Sequence, residues 1–241
     1  MKRETFYYGI EIFHESPRPL KLQYVIGVGM VEKRNFSKVL EFERKRFFIN
    51  GKEPIRSTDQ LAERCMASIY PIRIELSAKN EMVSLPNLQQ MTNRWKKERE
   101  LLGTEFTGDS VEAYLRQMDD ALLDERIFLK RLESDISYSL LLNRPSSGMS
   151  YNEKKEGVVF EFPVRPYKGR EVFYGSVETR PSPRGDRLSI FKGNDDFSGS
   201  LQLSYRLRGN PSFAVEIIGS YTNTEEQKSL RYKATYLKNF G

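Results

Sequence analysis

Three carboxylates crowd into six positions of the stretch MDDALLDERIFLKRLESD: Asp119, Asp120 and Asp124. Helical aspartates at such spacing can hold a divalent cation against a phosphate, provided their side chains converge. The apolar residues Leu115, Met118, Leu122, Leu129, Leu132 and Ile136 recur at a 3-4 spacing and predict an amphipathic helix. At about 100° per residue, Asp120 and Asp124 fall nearly opposite that stripe, and Asp119 falls beside its edge. The expectation is therefore a solvated helix face with no metal site. Arg116 precedes Asp120 by four residues and Arg131 precedes Asp135 by four, spacings that suit surface ion pairs. Glu125 differs, because it occupies a core position between Leu122 and Leu129. It is a candidate buried charge, which requires a partner, and Arg94, Lys97 or Arg99 on a facing helix could supply it.

The six residues DDALLD resemble the aspartate-rich Mg2+ sites of isoprenoid synthases. That family implies an all-helical bundle with a second acidic site, whereas this chain reads as about half strand. Other chemistry is equally sparse. The single histidine, His14, and the single cysteine, Cys65, lie far apart in sequence, so no multi-histidine site and no cysteine cage can form within one chain. Cys65 falls on an apolar helix face and reads as core. The sequence lacks a G-x-S-x-G elbow, a Walker loop and a G-x-G-x-x-G motif. No catalytic residue, cofactor or metal is assigned, and catalysis is disfavoured.

The strongest interaction signal is basic. Arg165, Lys168, Arg170, Arg180, Arg184, Arg187 and Lys192 interleave with Tyr167, Phe173, Tyr174 and Phe191. Arg206, Arg208, Arg231 and Lys233 extend the series. Cations on a sheet with aromatics between them can hold phosphates and stack bases. Charged edge strands that resist aggregation have the same composition. Net charge is +6, distributed as +5 over residues 1–57, −4 over 58–143 and +5 over 144–241, which also suits segments that pack together through complementary faces.

These residues must be positioned by elements of two periods. Residues 1–86 read as a β-rich segment with one short helix. TFYYGIEIF alternates, LKLQYVIGVGMVEK and KVLEFERKRFFING follow, and Asn50-Gly51 marks a tight turn. Ser57 and Gln60 form a capping box for a helix over 57–70 with the stripe Leu61, Cys65 and Ile69, and IRIELS with MVSL suggests a second hairpin. Residues 87–143 read as a long antiparallel helical hairpin. Its first arm carries Leu88, Met91, Trp95 and Leu102 and ends at Gly103; its second runs from the Asp109/Glu112 cap to about Leu142, roughly 50 Å. Residues 144–241 hold six candidate strands joined by short turns, an antiparallel meander.

The fold class expected is α+β, with antiparallel β-rich N- and C-terminal segments flanking the helical hairpin. The chain is 30% charged, and no run approaches a membrane span or a signal peptide, so a cytoplasmic setting is expected. Function reads first as a non-enzymatic protein-interaction module, such as an adaptor, immunity or assembly subunit. A protein partner, or a second copy through the helical hairpin, would be its occupant. Nucleic-acid or other polyanion binding through the C-terminal sheet is the alternative, and a small-ligand or lipid carrier is the second.

Overall fold

The computed structural model describes residues 5–33, 36–146, 148–164, 169–183, 185–208, 213–238 and 240. The elements run β1 (Thr5–Glu15), β2 (Leu20–Lys33), β3 (Ser37–Ile49), α1 (Ser57–Ile69), β4 (Ile72–Ser77), β5 (Met82–Ser84), α2 (Leu88–Glu105), α3 (Asp109–Leu123), α4 (Glu125–Glu133) and α5 (Ile136–Leu142). The meander follows: β6 (Lys154–Phe162), β7 (Glu171–Pro181), β8 (Arg187–Asn194), β9 (Gly199–Arg208), β10 (Phe213–Asn223) and β11 (Lys228–Tyr236). The chain is thus mixed, with antiparallel strands hydrogen-bonded in the order β5-β4-β3-β2-β1-β11-β10-β9-β8-β7-β6. Two compact units divide it: residues 1–7 with 24–132, and residues 8–23 with 133–241.

In the first unit the strand period does what the sequence predicts. Ile72, Ile74 and Leu76 of β4 alternate inward, and buried Phe42 of β3, paired with Ile72, shares their face. Leu61, Cys65 and Ile69 on α1, with Met91, Trp95 and Leu102 on α2, complete an apolar core. The expected turn at Asn50-Gly51 forms with both residues at positive φ, 51° and 76°. The cap of α1 differs from expectation: Arg56 is its N-cap without a side-chain bond, and Gln60 donates to Pro54 O at 3.2 Å. Gly103 does not end α2, which continues to Glu105. Two polar side chains hold these pieces in register. Buried Asn87 accepts from Arg73 N and donates to Pro71 O, both at 2.8 Å. Arg94 donates to the carbonyls of Ser68, Ile69 and Pro71, placing its cation at the C-terminus of α1.

The long helical hairpin is where the structure departs from the sequence reading. The second arm is three helices. Asp124 is extended, at φ −124° and ψ 117°, and its Oδ1 accepts from Arg126 N at 2.8 Å. Asp135 is extended too, and its carboxylate accepts from Ser137 N at 2.7 Å and Tyr138 N at 3.4 Å. Each aspartate caps the next helix, a role aspartate prefers to a helix interior because its carboxylate competes for backbone N–H groups.

In the second unit the six expected strands β6 to β11 form the meander, and the β1 residues Tyr8–Glu15 pair with β11. The sheet curls. In a flat sheet β6 and β11 would stand five ladder spacings apart, about 24 Å. Instead the rings of Phe162 and Tyr232 meet edge-on at 5.5 Å, and Phe173 of β7 meets Tyr221 of β10 at 6.0 Å across the two intervening strands. Glycine permits this curvature. A Cβ at Gly175 would lie within 1.9 Å of Lys192 O, and the Phe191 and Tyr232 rings fold over Gly193 and Gly219. Helix α5 is buried from Ile136 to Leu140. Arg170 Nε donates to Glu133 O at 3.0 Å just before it, and Tyr205 OH donates to Asn143 O at 3.0 Å just after.

Candidate interaction surface

The acidic run does not gather into one site. Asp119 Oδ1 accepts from the Trp95 indole N–H at 2.7 Å, and its Oδ2 accepts from Arg99 Nε at 3.2 Å; Arg99 also pairs with Glu112 at 3.1 Å. Asp119 therefore ties α3 to α2 and is half-buried, not a member of the solvated face. Asp120 is exposed, and Asp124 caps α4. The Arg126 backbone N–H is the main reason the Asp124 carboxyl titrates below its ordinary range. Glu125 does find a partner, though not a cation of α2: its Oε1 accepts the Leu85 backbone N–H, two residues before the Asn87 N-cap. Among the described residues no group of three His, Cys, Asp or Glu is placed to hold a metal. Burial pushes the Cys65 thiol up to about 12, as expected for a core cysteine. Burial also lowers the pKa of His14 on β1.

The interleaved cations and aromatics separate by strand period. Phe173 and Phe191 point into the core, whereas Arg180, Lys192 and Lys233 are exposed on the other face. Most of the remaining arginines have structural partners. Arg206 Nη1 and Arg208 Nε reach the Asp186 carboxylate at 3.1 and 2.8 Å, and Arg206 also meets Glu216 at 3.4 Å. Arg208 and then Arg206 hold the Asp186 carboxyl below the usual carboxylate range. Arg170 binds the Glu133 carbonyl, and Arg187 donates to Met149 O at 3.2 Å with its guanidinium 5.7 Å from the Tyr151 ring. Arg231 pairs with Glu15 at 2.5 Å over the ring of Phe13. Arg165, Lys168 and Arg184 lie outside the described residues, as does Tyr167. Sequence reasoning passed over Asp186, whose value to the fold comes from two arginines twenty residues downstream.

A surface of another kind lies on the β6–β7 hairpin. Among the described residues, strand β6 ends the hydrogen-bonded order and pairs with β7 alone. Its first half is defended in the manner of natural edges. Lys154, Lys155 and Glu156 are charged, Gly157 stands at φ 65°, and a register shift between Lys155 and Val158 marks a bulge. The second half, Val158–Phe162, is regular and largely apolar. Val159 lies directly opposite Tyr174, with Val172 one diagonal step away opposite Glu161. Val159 and Tyr174 are 60% and 52% exposed. On the other face Val158 and Phe160 are only half-buried, although the rest of that face is core. An open row of backbone donors and acceptors thus runs between two partly uncovered apolar rows.

No family model matches the chain, and no curated protein does. Among solved structures, one titled "Lipid-protein interactions in lipovitellin" is similar at a TM-score of 0.43 and 10% identity, over 97% of this chain and 25% of that one. The chain thus spans about a quarter of that structure's length. A similarity of this degree identifies neither a family nor a ligand.

Proposed function

We propose that the chain is a non-enzymatic protein-interaction module that takes an extended strand of a partner along β6. The observation that carries this reading is the half-defended edge, in which a charged, bulged segment adjoins a regular apolar one, Val158–Phe162, flanked by exposed Val159 and Tyr174. Strand addition draws affinity from main-chain hydrogen bonds and specificity from alternate side chains. Here the added strand would cover Val158 and Phe160 on one face and Val159 on the other. The commitment of Asp119, Asp124, Glu125 and Asp186 to backbone and arginine partners supports a structural rather than catalytic use of the acidic groups.

Selection of a displayed random-peptide library on the full chain tests the reading. The expected winners alternate apolar residues at a period of two, and lose binding when Val159 and Tyr174 become lysine. Winners indifferent to those substitutions would exclude β6 as the docking edge. A second reading, a carrier of a small apolar ligand, is favoured by the interior of the curled sheet. There the hydroxyls of Tyr232 and Ser189 are buried with no hydrogen-bond partner among the described residues. Native mass spectrometry of the purified chain showing a retained small molecule, lost in Tyr232→Phe, would establish that reading; a single unliganded mass would dismiss it.

A further inference from the structure

The open edge of β6 carries its charges in a fixed order. Glu161 is exposed near the C-terminal end of the strand and lies opposite Val172 of β7. Lys155 is exposed near the N-terminal end and lies opposite Val177. Among the described residues neither side chain has a hydrogen bond or an ion pair. Lys154 differs, since it pairs with Glu156 at 2.7 Å and lies opposite Glu178. The regular apolar residues Val158, Val159 and Phe160 fall between the two open charges, as do Gly157 and the bulge. Ladder partners of like charge repel and those of opposite charge attract. A strand added along β6 therefore meets a carboxylate at one end of the apolar run and a cation at the other.

We infer that β6 takes a segment of another protein antiparallel to itself, with a basic residue before its apolar run and an acidic residue after it. The inference rests on strand addition at β6 and names the partner of that edge. Direction follows from the ladder. The pairings of β7 with β6 and β8, and of β9 with β8 and β10, are antiparallel, and antiparallel pairing is slightly the more stable per residue. In that direction the partner's residue facing Glu161 comes first. Its side chain lies on the face of Val159, because Glu161 and Val159 are two positions apart, so a lysine or arginine stem there also covers Val159. Residues facing Phe160, Val159 and Val158 follow. The bulge then bends β6 away, and the partner's next residues pass Lys155 outside the ladder, where a carboxylate answers it. A parallel partner would need the opposite order. A second copy of β6, laid antiparallel and aligned on Phe160, sets Glu161 against Val159 and leaves both charges unanswered.

The charge order of peptides selected on the full chain from a displayed random library tests it. Winners should carry lysine or arginine before the alternating run and aspartate or glutamate after it. The same selection on the chain bearing Glu161→Lys with Lys155→Glu should return the reverse order. In fluorescence anisotropy with one labelled winner, Glu161→Lys or Lys155→Glu alone weakens binding roughly threefold to tenfold. Exchanging the facing charge in the peptide restores it. Glu161→Gln and Lys155→Gln, which only neutralise, show a smaller loss. Both residues are exposed, so an unchanged circular dichroism melt certifies the variants as folded. Winners that depend on Val159 and Tyr174 but show no charge order overturn the inference and leave strand addition standing. Winners with the acid first assign a parallel partner and overturn it too. Winners indifferent to Val159 and Tyr174 end both readings. Self-association in sedimentation equilibrium, lost in Val159→Lys with Tyr174→Lys, gives the edge to a second copy and likewise overturns the inference.

Discussion

Two neighbouring aspartates should differ sharply in what they contribute. Asp119→Ala removes the acceptor of the Trp95 indole N–H and one of the two carboxylates on Arg99. Trp95 is almost fully buried, so its N–H is left without a partner in the core. A hydrogen bond to a charged acceptor is worth about 1.5–3 kcal/mol, and an orphaned buried donor forfeits its solvation. The Arg99 contact adds little, because both partners are partly exposed. A loss of about 2–3 kcal/mol follows. Asp120→Ala alters an exposed side chain and should stay within roughly 0.5 kcal/mol. The single tryptophan is itself the probe, since urea unfolding followed by Trp95 fluorescence reports its own surroundings. At an m-value of about 2–3 kcal/mol/M, the Asp119→Ala midpoint should fall by about 1 M and that of Asp120→Ala should barely move. Equal midpoints for the two variants would refute the assignment of Asp119 as the bridge between α2 and α3.

Two further outcomes follow from the geometry. Asp186→Asn should cost about 2–3 kcal/mol at neutral pH, read by thermal melting, since the buried carboxylate accepts from both Arg206 and Arg208. Because those arginines depress the Asp186 pKa in the folded state, its contribution is present above the unfolded value near pH ~4 and is lost as pH falls through the lower folded value. The gap between wild type and variant should therefore close in acid, and a gap that persists at low pH would contradict the pairing. Cys65, fully buried with its thiol pushed up to about 12, should resist maleimide in the native chain and react only on unfolding, checked by mass spectrometry.

The strand period made most of the architecture readable. IRIELS shows its inward set as Ile72, Ile74 and Leu76, and the six turn-bounded runs after residue 153 became β6 to β11. The helical breaks were hidden because Leu122, Leu129, Leu132 and Ile136 keep a 3-4 spacing straight through them. Asp124 and Asp135 look the same in a helix interior as at an N-cap until their backbone angles are known. Asp119 sat at the stripe's edge on a helical wheel; the missing clue was that buried Trp95 needs an acceptor for its N–H. The mixture of arginines and aromatics after residue 160 was legible as alternation, yet the sequence did not say that Phe173 and Phe191 turn inward while Asp186 gathers Arg206 and Arg208. The candidate edge was least legible of all, because an open strand is defined by which strand lacks a second neighbour, a property of the whole ladder.

Amide hydrogen exchange of the full chain, alone and with a selected strand-forming peptide, tests docking at β6 most directly. The account predicts new protection concentrated in Val158–Phe162, with Lys154–Glu156 unchanged and the effect abolished by Val159→Lys with Tyr174→Lys. Protection that leaves β6 unchanged and falls on another element would contradict it.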